Sequence, residues 1–343
     1  LGDLAVIILV TVIALAGQVV IAVGLGVGIA LMVFAMRMSR GVVRSSRTGS
    51  EMHSRRTRDA GDAKLLRRHG GSILMIELEG PMFFASTEQL HNRIDSAIAD
   101  EVRYVILDIA RVNEVDSTGA RILKQSWART RSAGATLLLC GQDEHLQTGS
   151  MLRDHGVEEM LGGANVFPDL DRALEWCEND LLQNLKSGDH AADDPVFERL
   201  DIARGLSREE CAILREALVP VQFNAGQTVF AEGEPGDALY IITQGSASVR
   251  LERRIPGQAK PGELRLVSFS AGTVFGEMAL LDREPRSATV TADDALSCYL
   301  LQRRRFEALA EGHPRIGLQV LANLGHSLSL RLRQTNRTLG QGS

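Results

Sequence analysis

Phe275 to Val290 reads FGEMALLDREPRSATV. One carboxylate, Glu277, follows a glycine, and one arginine, Arg286, stands nine positions later. A short apolar run, Met278 to Leu281, lies between them. Gly276 frees the backbone to turn sharply and approach a ligand closely. A helical turn starting there aims unpaired N–H groups at an anion. The planar fork of Arg286 suits a phosphate. Glu277 is acceptor-only when ionised, so it suits a hydroxyl donor beside that phosphate. An acid and a guanidinium in one small pocket point to a sugar phosphate. A surface salt bridge between the two is the plainer alternative.

Outward from this stretch the sequence is β-rich. Val229–Glu232, Ala238–Thr243, Ala247–Glu252, Leu264–Phe269, Thr289–Thr291 and Ser297–Leu301 read as short strands. Glycines at 226, 233, 236, 245 and 272 punctuate them. That pattern implies a barrel or jelly-roll-like core. Ser207-Arg208-Glu209-Glu210 has the form of a capping box and starts a helix before the strands. Arg303–Glu311 reads as a helix, and Pro314 starts another that carries Leu318, Leu321, Leu324, Leu328 and Leu332 at helical spacing.

Phe275, Gly276, Glu277, Pro285, Arg286, Ser287 and Ala288 match, in register, the phosphate-binding cassette of the cyclic nucleotide-binding domain family, which the stretch closely resembles. Glu232-Gly233-Glu234-Pro235-Gly236-Asp237, the following Ala238–Ile242 and Gly245 extend the resemblance to residues 197–335. It implies an α+β domain, a β-roll with flanking helices. It assigns the ribose 2′-hydroxyl to Glu277 and the cyclic phosphate to Arg286. Ser287 and the N–H groups around Gly276 and Ala288 assist, and Phe275, Met278 and Ala279 complete the binding stretch. Ser287 in place of threonine leans toward cAMP over cGMP. The leucine-bearing final helix takes the place of the family's lid. Its stripe reads equally as packing on the barrel or on a partner chain.

Upstream, residues 70–186 alternate strands and helices, which implies a sheet with helices on it. Strands are expected over Ser72–Leu78, with Gly80-Pro81 ending the first, then over Tyr104–Ile109 and Thr136–Cys140. Helices are expected over Ser86–Ala99, Ser117–Ala133, Met151–Gly156 and Leu170–Leu185. Asp116-Ser117-Thr118-Gly119 carries a loop into a helix, where Asp or Ser is a natural N-cap. This tetrapeptide, the strand before it and Gly80–Phe84 resemble the STAS family, an α/β fold. In one branch of that family the serine after the aspartate is phosphorylated, which here is Ser117. Two readings of Ser117 stay open, a helix cap and a phosphorylation site.

Residues 4–36 are almost wholly apolar and are interrupted at Gly17-Gln18. Two membrane helices are expected, roughly 4–16 and 19–37, within a transmembrane segment 1–37. Gly24, Gly26 and Gly28 suit close helix packing in lipid. Residues 37–69 hold ten Lys/Arg against three Asp/Glu. Residues 38–69 read as a basic linker on the cytoplasmic side of a cell (inner) membrane, solvated or lying on anionic lipid. A second linker covers 187–196. Membrane end followed by STAS domain resembles the SulP family of sulfate-type anion transporters. The resemblance implies the rest of the transporter membrane domain as a partner, and tails of this type often pair as homodimers.

The chain has 343 residues, 44% of them hydrophobic, and a formal net charge of −5. With the positive charge gathered in 37–69, the remainder is acidic, and no nucleic-acid partner is expected. Cys140, Cys177, Cys211 and Cys298 lie far apart and read as reduced, buried thiols. No metal-ligand spacing and no nucleophile beside a base are visible, so neither a metal site nor an enzyme is expected. The combined expectation is a membrane-anchored regulatory region that binds a cyclic nucleotide. The alternative is a protein-interaction module that binds no ligand and is controlled at Ser117.

Overall fold

The computed structural model describes residues 11, 19–38, 41–141, 152–186, 197, 200–253, 262–282 and 284–341. They form two compact units, Leu1–Met52 with Gly70–Cys177, and His53–His69 with Glu178–Ser343. The expected helix 4–16 and the linker 187–196 lie outside the described residues. The second apolar helix is α1 (Val19–Met38). Among the described residues no helix is long and apolar enough to cross a membrane. The part of α1 before Arg37 rises about 27 Å at 1.5 Å per residue, under the roughly 30 Å hydrocarbon core.

The segment expected to be a basic linker is folded. It supplies β1 (Val43–Thr48) to the first unit and β2 (Arg56–Thr57) and α2 (Ala60–His69) to the second. β1 pairs antiparallel with β3 (Ile73–Met82), as Ser46 with Ile76 and Thr48 with Leu74. Its sequence, VRSSRT, has no apolar alternation because it is an edge strand. Charge on an edge also discourages pairing with other chains.

The first unit has a sheet of order β1-β3-β4-β5-β6, with β4 (Tyr104–Val115), β5 (Thr136–Cys140) and β6 (Val166–Phe167). β3 through β6 run parallel. Parallel neighbours need crossover helices, and α3 (Phe84–Ala99) and α4 (Ser117–Ser132) supply the first two. α5 (Val157–Leu161) follows, and α6 (Leu170–Lys186) ends the expected helix set. Ile76, Leu78, Leu90, Ile94, Val105, Leu107, Leu123 and Leu139 are fully buried between sheet and helices. β3 continues through Gly80-Pro81, where an end was expected. Glu79 to Met82 stay paired with Arg111 to Val115 across two register shifts, the irregular places where a proline without an N–H is tolerated.

The second unit contains two sheets. One has order β2-β11-β10-β13-β8, with β8 (Thr228–Phe230), β10 (Ser246–Arg253), β11 (Gly262–Ser270) and β13 (Thr289–Ala292). The other has order β12-β9-β14-β7, with β7 (Val219–Phe223), β9 (Ala238–Gln244), β12 (Val274–Phe275) and β14 (Leu296–Gln302). Phe230, Ile242, Phe269, Phe275 and Val290 fill one core cluster. Helix α7 (Arg208–Glu216) begins with the expected reciprocal cap: Ser207 Oγ accepts from Glu210 N–H, and Glu210 accepts from Ser207 N–H. A single turn, α8 (Met278–Leu281), sits in the cassette, and α9 (Arg303–Gly312) and α10 (Pro314–Gln341) close the chain.

The leucine stripe of α10 coincides with its packed face only at Leu324. Leu318, Leu321 and Leu332 are exposed, whereas Ile316, Val320 and Leu324, four apart, are buried. That inward register reaches Arg331 seven residues on.

Candidate functional site

An aromatic group underlies the cassette. Phe275 is buried and stacks on Tyr240 at 5.1 Å between ring centroids, with Phe269 at 5.5 Å. Gly276 has φ +73°, a backbone state natural only to glycine. A Cβ there would also meet Arg286 Nη1 at 2.8 Å and the Phe230 ring at 3.3 Å. Its glycine identity therefore answers both to the turn and to the arginine.

Arg286 is buried. Its Nη1 donates to the Gly276 carbonyl at 3.0 Å and its Nη2 to the Ala238 carbonyl at 2.8 Å. The guanidinium carbon lies 4.1 Å from the Phe230 ring centroid, within cation–π range. The Nε is buried and has no hydrogen-bond partner. Burial pulls the guanidinium below its ordinary pKa, with Tyr240, Asp237 and Glu234 opposing. The Glu232–Asp237 turn fixes its backbone: Gly233 N–H donates to the Arg286 carbonyl, and Arg286 N–H to the Glu234 carbonyl, both at 2.9 Å. The two cyclic-nucleotide motifs read separately in the sequence are thus one structural unit.

Glu277 is buried and opens α8. Arg286 is bonded to the carbonyl of the residue before it, which brings the guanidinium to the backbone of the turn that opens α8. Glu277 Oε1 accepts from Arg331 Nη1 at 2.7 Å. Among the described residues Oε2 has no partner. Met278 is half exposed, and the Ser287 hydroxyl reaches its sulfur at 3.9 Å. Ala279 occupies the next position of α8. Ser287 is exposed and Ala288 half-buried. The nine-position spacing from Glu277 to Arg286 therefore spans a single compact loop. Arg331 was missed by sequence reasoning; the signal was a cation in the inward register of α10.

A second buried carboxylate, Glu178, is held quite differently. Ser54 donates to it from its N–H at 3.0 Å and from its hydroxyl at 2.5 Å. Arg58 Nη2 donates at 2.9 Å, and His53 lies 3.6 Å away. Burial pushes this carboxyl up, but His53, Arg58 and Ser54 outweigh it and hold it below the usual carboxylate range. Both oxygens are engaged.

In the first unit Ser117 is exposed as the first residue of α4. Asp116 is the cap, accepting from Gly119 N–H at 2.6 Å. Gly119 is required by proximity: a Cβ would meet the Met82 carbonyl at 2.4 Å. The four cysteines are buried and form no disulfide. Burial raises the Cys140 thiol, and pushes Cys298 up to about 12, so neither is a reactive thiolate. Among the described residues no group of three or more His, Cys, Asp or Glu could hold a metal ion.

A family model described as cyclic nucleotide-binding domain matches residues 220–313, and one described as STAS domain matches residues 64–173. The chain carries both domains. The STAS domain is the parallel sheet, and the cyclic nucleotide-binding domain is the double-sheet unit with the cassette. Glutaminase 1 of Bradyrhizobium diazoefficiens is 29% identical over 82% of this chain and 44% of its own length. A CRP-like cAMP-activated global transcriptional regulator of Mycobacterium tuberculosis is 35% identical over 43% of this chain and 61% of its own length. The chain thus spans under two thirds of each. Among solved structures, the catabolite activator protein of Thermus thermophilus is 30% identical, covering 41% of this chain and 62% of its own, with a TM-score of 0.35.

Proposed function

We propose that this chain is the membrane-attached, cytoplasmic regulatory region of a SulP-type anion transporter, and that it binds a cyclic nucleotide, cAMP in preference to cGMP. The carrying observation is a buried guanidinium whose Nε has no partner, bonded to the carbonyl of the residue before a buried carboxylate that Arg331 holds by one oxygen. Buried polar atoms are rarely left unpaired, so such a donor suits a partner. A ring-closed phosphodiester on Arg286 and a ribose 2′-hydroxyl on Glu277 supply the missing acceptor and donor. The cassette fixes α8 and, through Arg331, touches α10. Ligand binding therefore biases α10, and the change is passed to the STAS domain and the membrane part. A ligand shifts such an equilibrium only by its differential affinity for the two states.

The membrane attachment rests on α1, whose Val20, Val23, Leu31 and Met32 are exposed apolar side chains, followed by the basic exit from Arg37. The chain has no catalytic role in this reading, and the remaining transporter spans are its partner, with pairing of two tails. A second reading, favoured by the glutaminase relatives, makes it the regulatory half of an enzyme, with the same pocket and the same ligand.

Calorimetric titration of the full chain with cAMP and cGMP tests the ligand. One site per chain, tighter for cAMP, is expected. The absence of heat with either at millimolar concentration overturns the reading.

A further inference from the structure

Arg286 is held from both sheets of its unit. Its two Nη atoms donate to the carbonyls of Ala238, which starts β9, and Gly276, which follows β12. Both strands belong to one sheet. The remaining contact comes from the other sheet. Phe230 ends β8, is paired with Val290 of β13 and is buried. The guanidinium carbon sits over its ring, 4.1 Å from the centroid. The ring itself is steadied by Tyr240 at 5.7 Å and Phe275 at 6.0 Å between centroids. Two bonds to one sheet leave a planar group free to swing about the line joining them. A ring approaching from the opposite sheet closes that freedom. The oxygens bonded to this buried cation are neutral, and burial lowers its pKa. An aliphatic side chain in the same place would desolvate the charge with no compensation, whereas the negative face of a ring offsets part of that cost.

Resting on the cyclic-nucleotide reading above, we propose that Phe230 is a positioning residue for the phosphate contact. Its ring holds the Arg286 guanidinium in the pose that leaves Nε, the donor without a partner, for the phosphodiester. Phe230 acts through Arg286 and needs no contact with the ligand. Gly276 belongs to the same fit. A Cβ there would meet Arg286 Nη1 at 2.8 Å and the Phe230 ring at 3.3 Å, so turn, ring and cation are matched as a set. A guanidinium that leaves its binding pose lowers the apparent affinity by the fraction of time it spends elsewhere. The strength of a desolvated cation–π contact puts a ceiling of about thirtyfold on that loss.

The test uses the full chain with phenylalanine analogues carrying one, two or three ring fluorines at position 230, titrated with cAMP. Fluorine withdraws charge from the ring face and changes its shape little, so a merely packing role is left in place. Affinity is expected to fall stepwise with each fluorine, within the thirtyfold ceiling. Phe230→Leu, which fills space without a face, is expected to bind no better than the trifluorinated chain. The same fluorines are then placed in Arg286→Met and both series unfolded in urea. Their shift of the midpoint is expected to disappear where no cation faces the ring, as a double-mutant cycle requires. Constant affinity along the fluorine series overturns the proposal while leaving the binding site intact. Wild-type affinity in Phe230→Leu, or equal urea shifts with and without Arg286, also overturns it. Wild type binding no cAMP at millimolar concentration removes the site itself and the proposal with it.

Discussion

Glu178 and Glu277 are both buried carboxylates facing an arginine, and their surroundings are opposite in kind. Glu178 is saturated, with the Ser54 N–H and hydroxyl, Arg58 and His53 around its two oxygens. Glu277 has one cation on one oxygen. A saturated buried acid is a clasp: it ties residues 53–58 to the last turns of α6 and has no capacity left. A half-used buried acid costs stability unless something else completes it. Site and clasp are therefore separated by hydrogen-bond capacity, not by burial or by charge.

The largest expected effect is on the clasp. Arg58 and Glu178 have side chains only 6% and 2% exposed. Arg58→Met leaves an uncompensated buried charge and is expected to cost about 3–5 kcal/mol of stability, measured by urea denaturation of the full chain. Cyclic-nucleotide affinity of the folded fraction is expected to stay at the wild-type value. Loss of binding in step with stability would erase the distinction between the two acids.

Next comes the site. Arg286→Ala removes the proposed phosphate donor and is expected to weaken cyclic-nucleotide binding by about 1.5–3 kcal/mol, read by calorimetry, with a smaller change in stability. The contrast with Arg58→Met is the informative result.

Acid sharpens the comparison further. The Glu178 carboxyl lies below its ordinary value in the folded chain. Its contribution is present above the unfolded value and is lost as pH falls through the folded one. Asp59 and Asp201, both raised by burial, act in the opposite sense. Stability of wild type minus Glu178→Gln therefore isolates the clasp. That difference is expected to shrink between pH 7 and pH 3, and a difference independent of pH would contradict the assignment.

The smallest effect is a yardstick outside both acids. Ser207→Ala opens the cap of α7 and is expected to cost about 1 kcal/mol, with no change in ligand affinity. Its urea midpoint gives the scale for a purely local loss.

How legible this was from sequence follows the same division. The cassette was legible because Gly276, Glu277 and Arg286 lie within one loop, so spacing carries geometry. The parallel sheet was legible because continuous apolar runs such as Tyr104–Ile109 mark strands buried on both faces. The clasp was not legible. Ser54 and Glu178 are 124 residues apart, and the basic run around Arg58 has the composition of a linker. β1 was hidden because an edge strand takes its identity from its partner β3 and not from its own alternation. On α10 the leucine stripe shares only Leu324 with the buried face, Ile316-Val320-Leu324, so the stripe did not point to the arginine that continues that face.

The most direct measurement of the central claim is the thermal stabilisation produced by cAMP in wild type, Arg286→Ala and Arg58→Met. At about a hundred times its Kd, a ligand adds about 2.7 kcal/mol to the folded state. Wild type and Arg58→Met are expected to gain this shift from their different starting points, and Arg286→Ala at the same cAMP concentration to gain far less. An Arg286→Ala chain stabilised as fully as wild type would contradict the account.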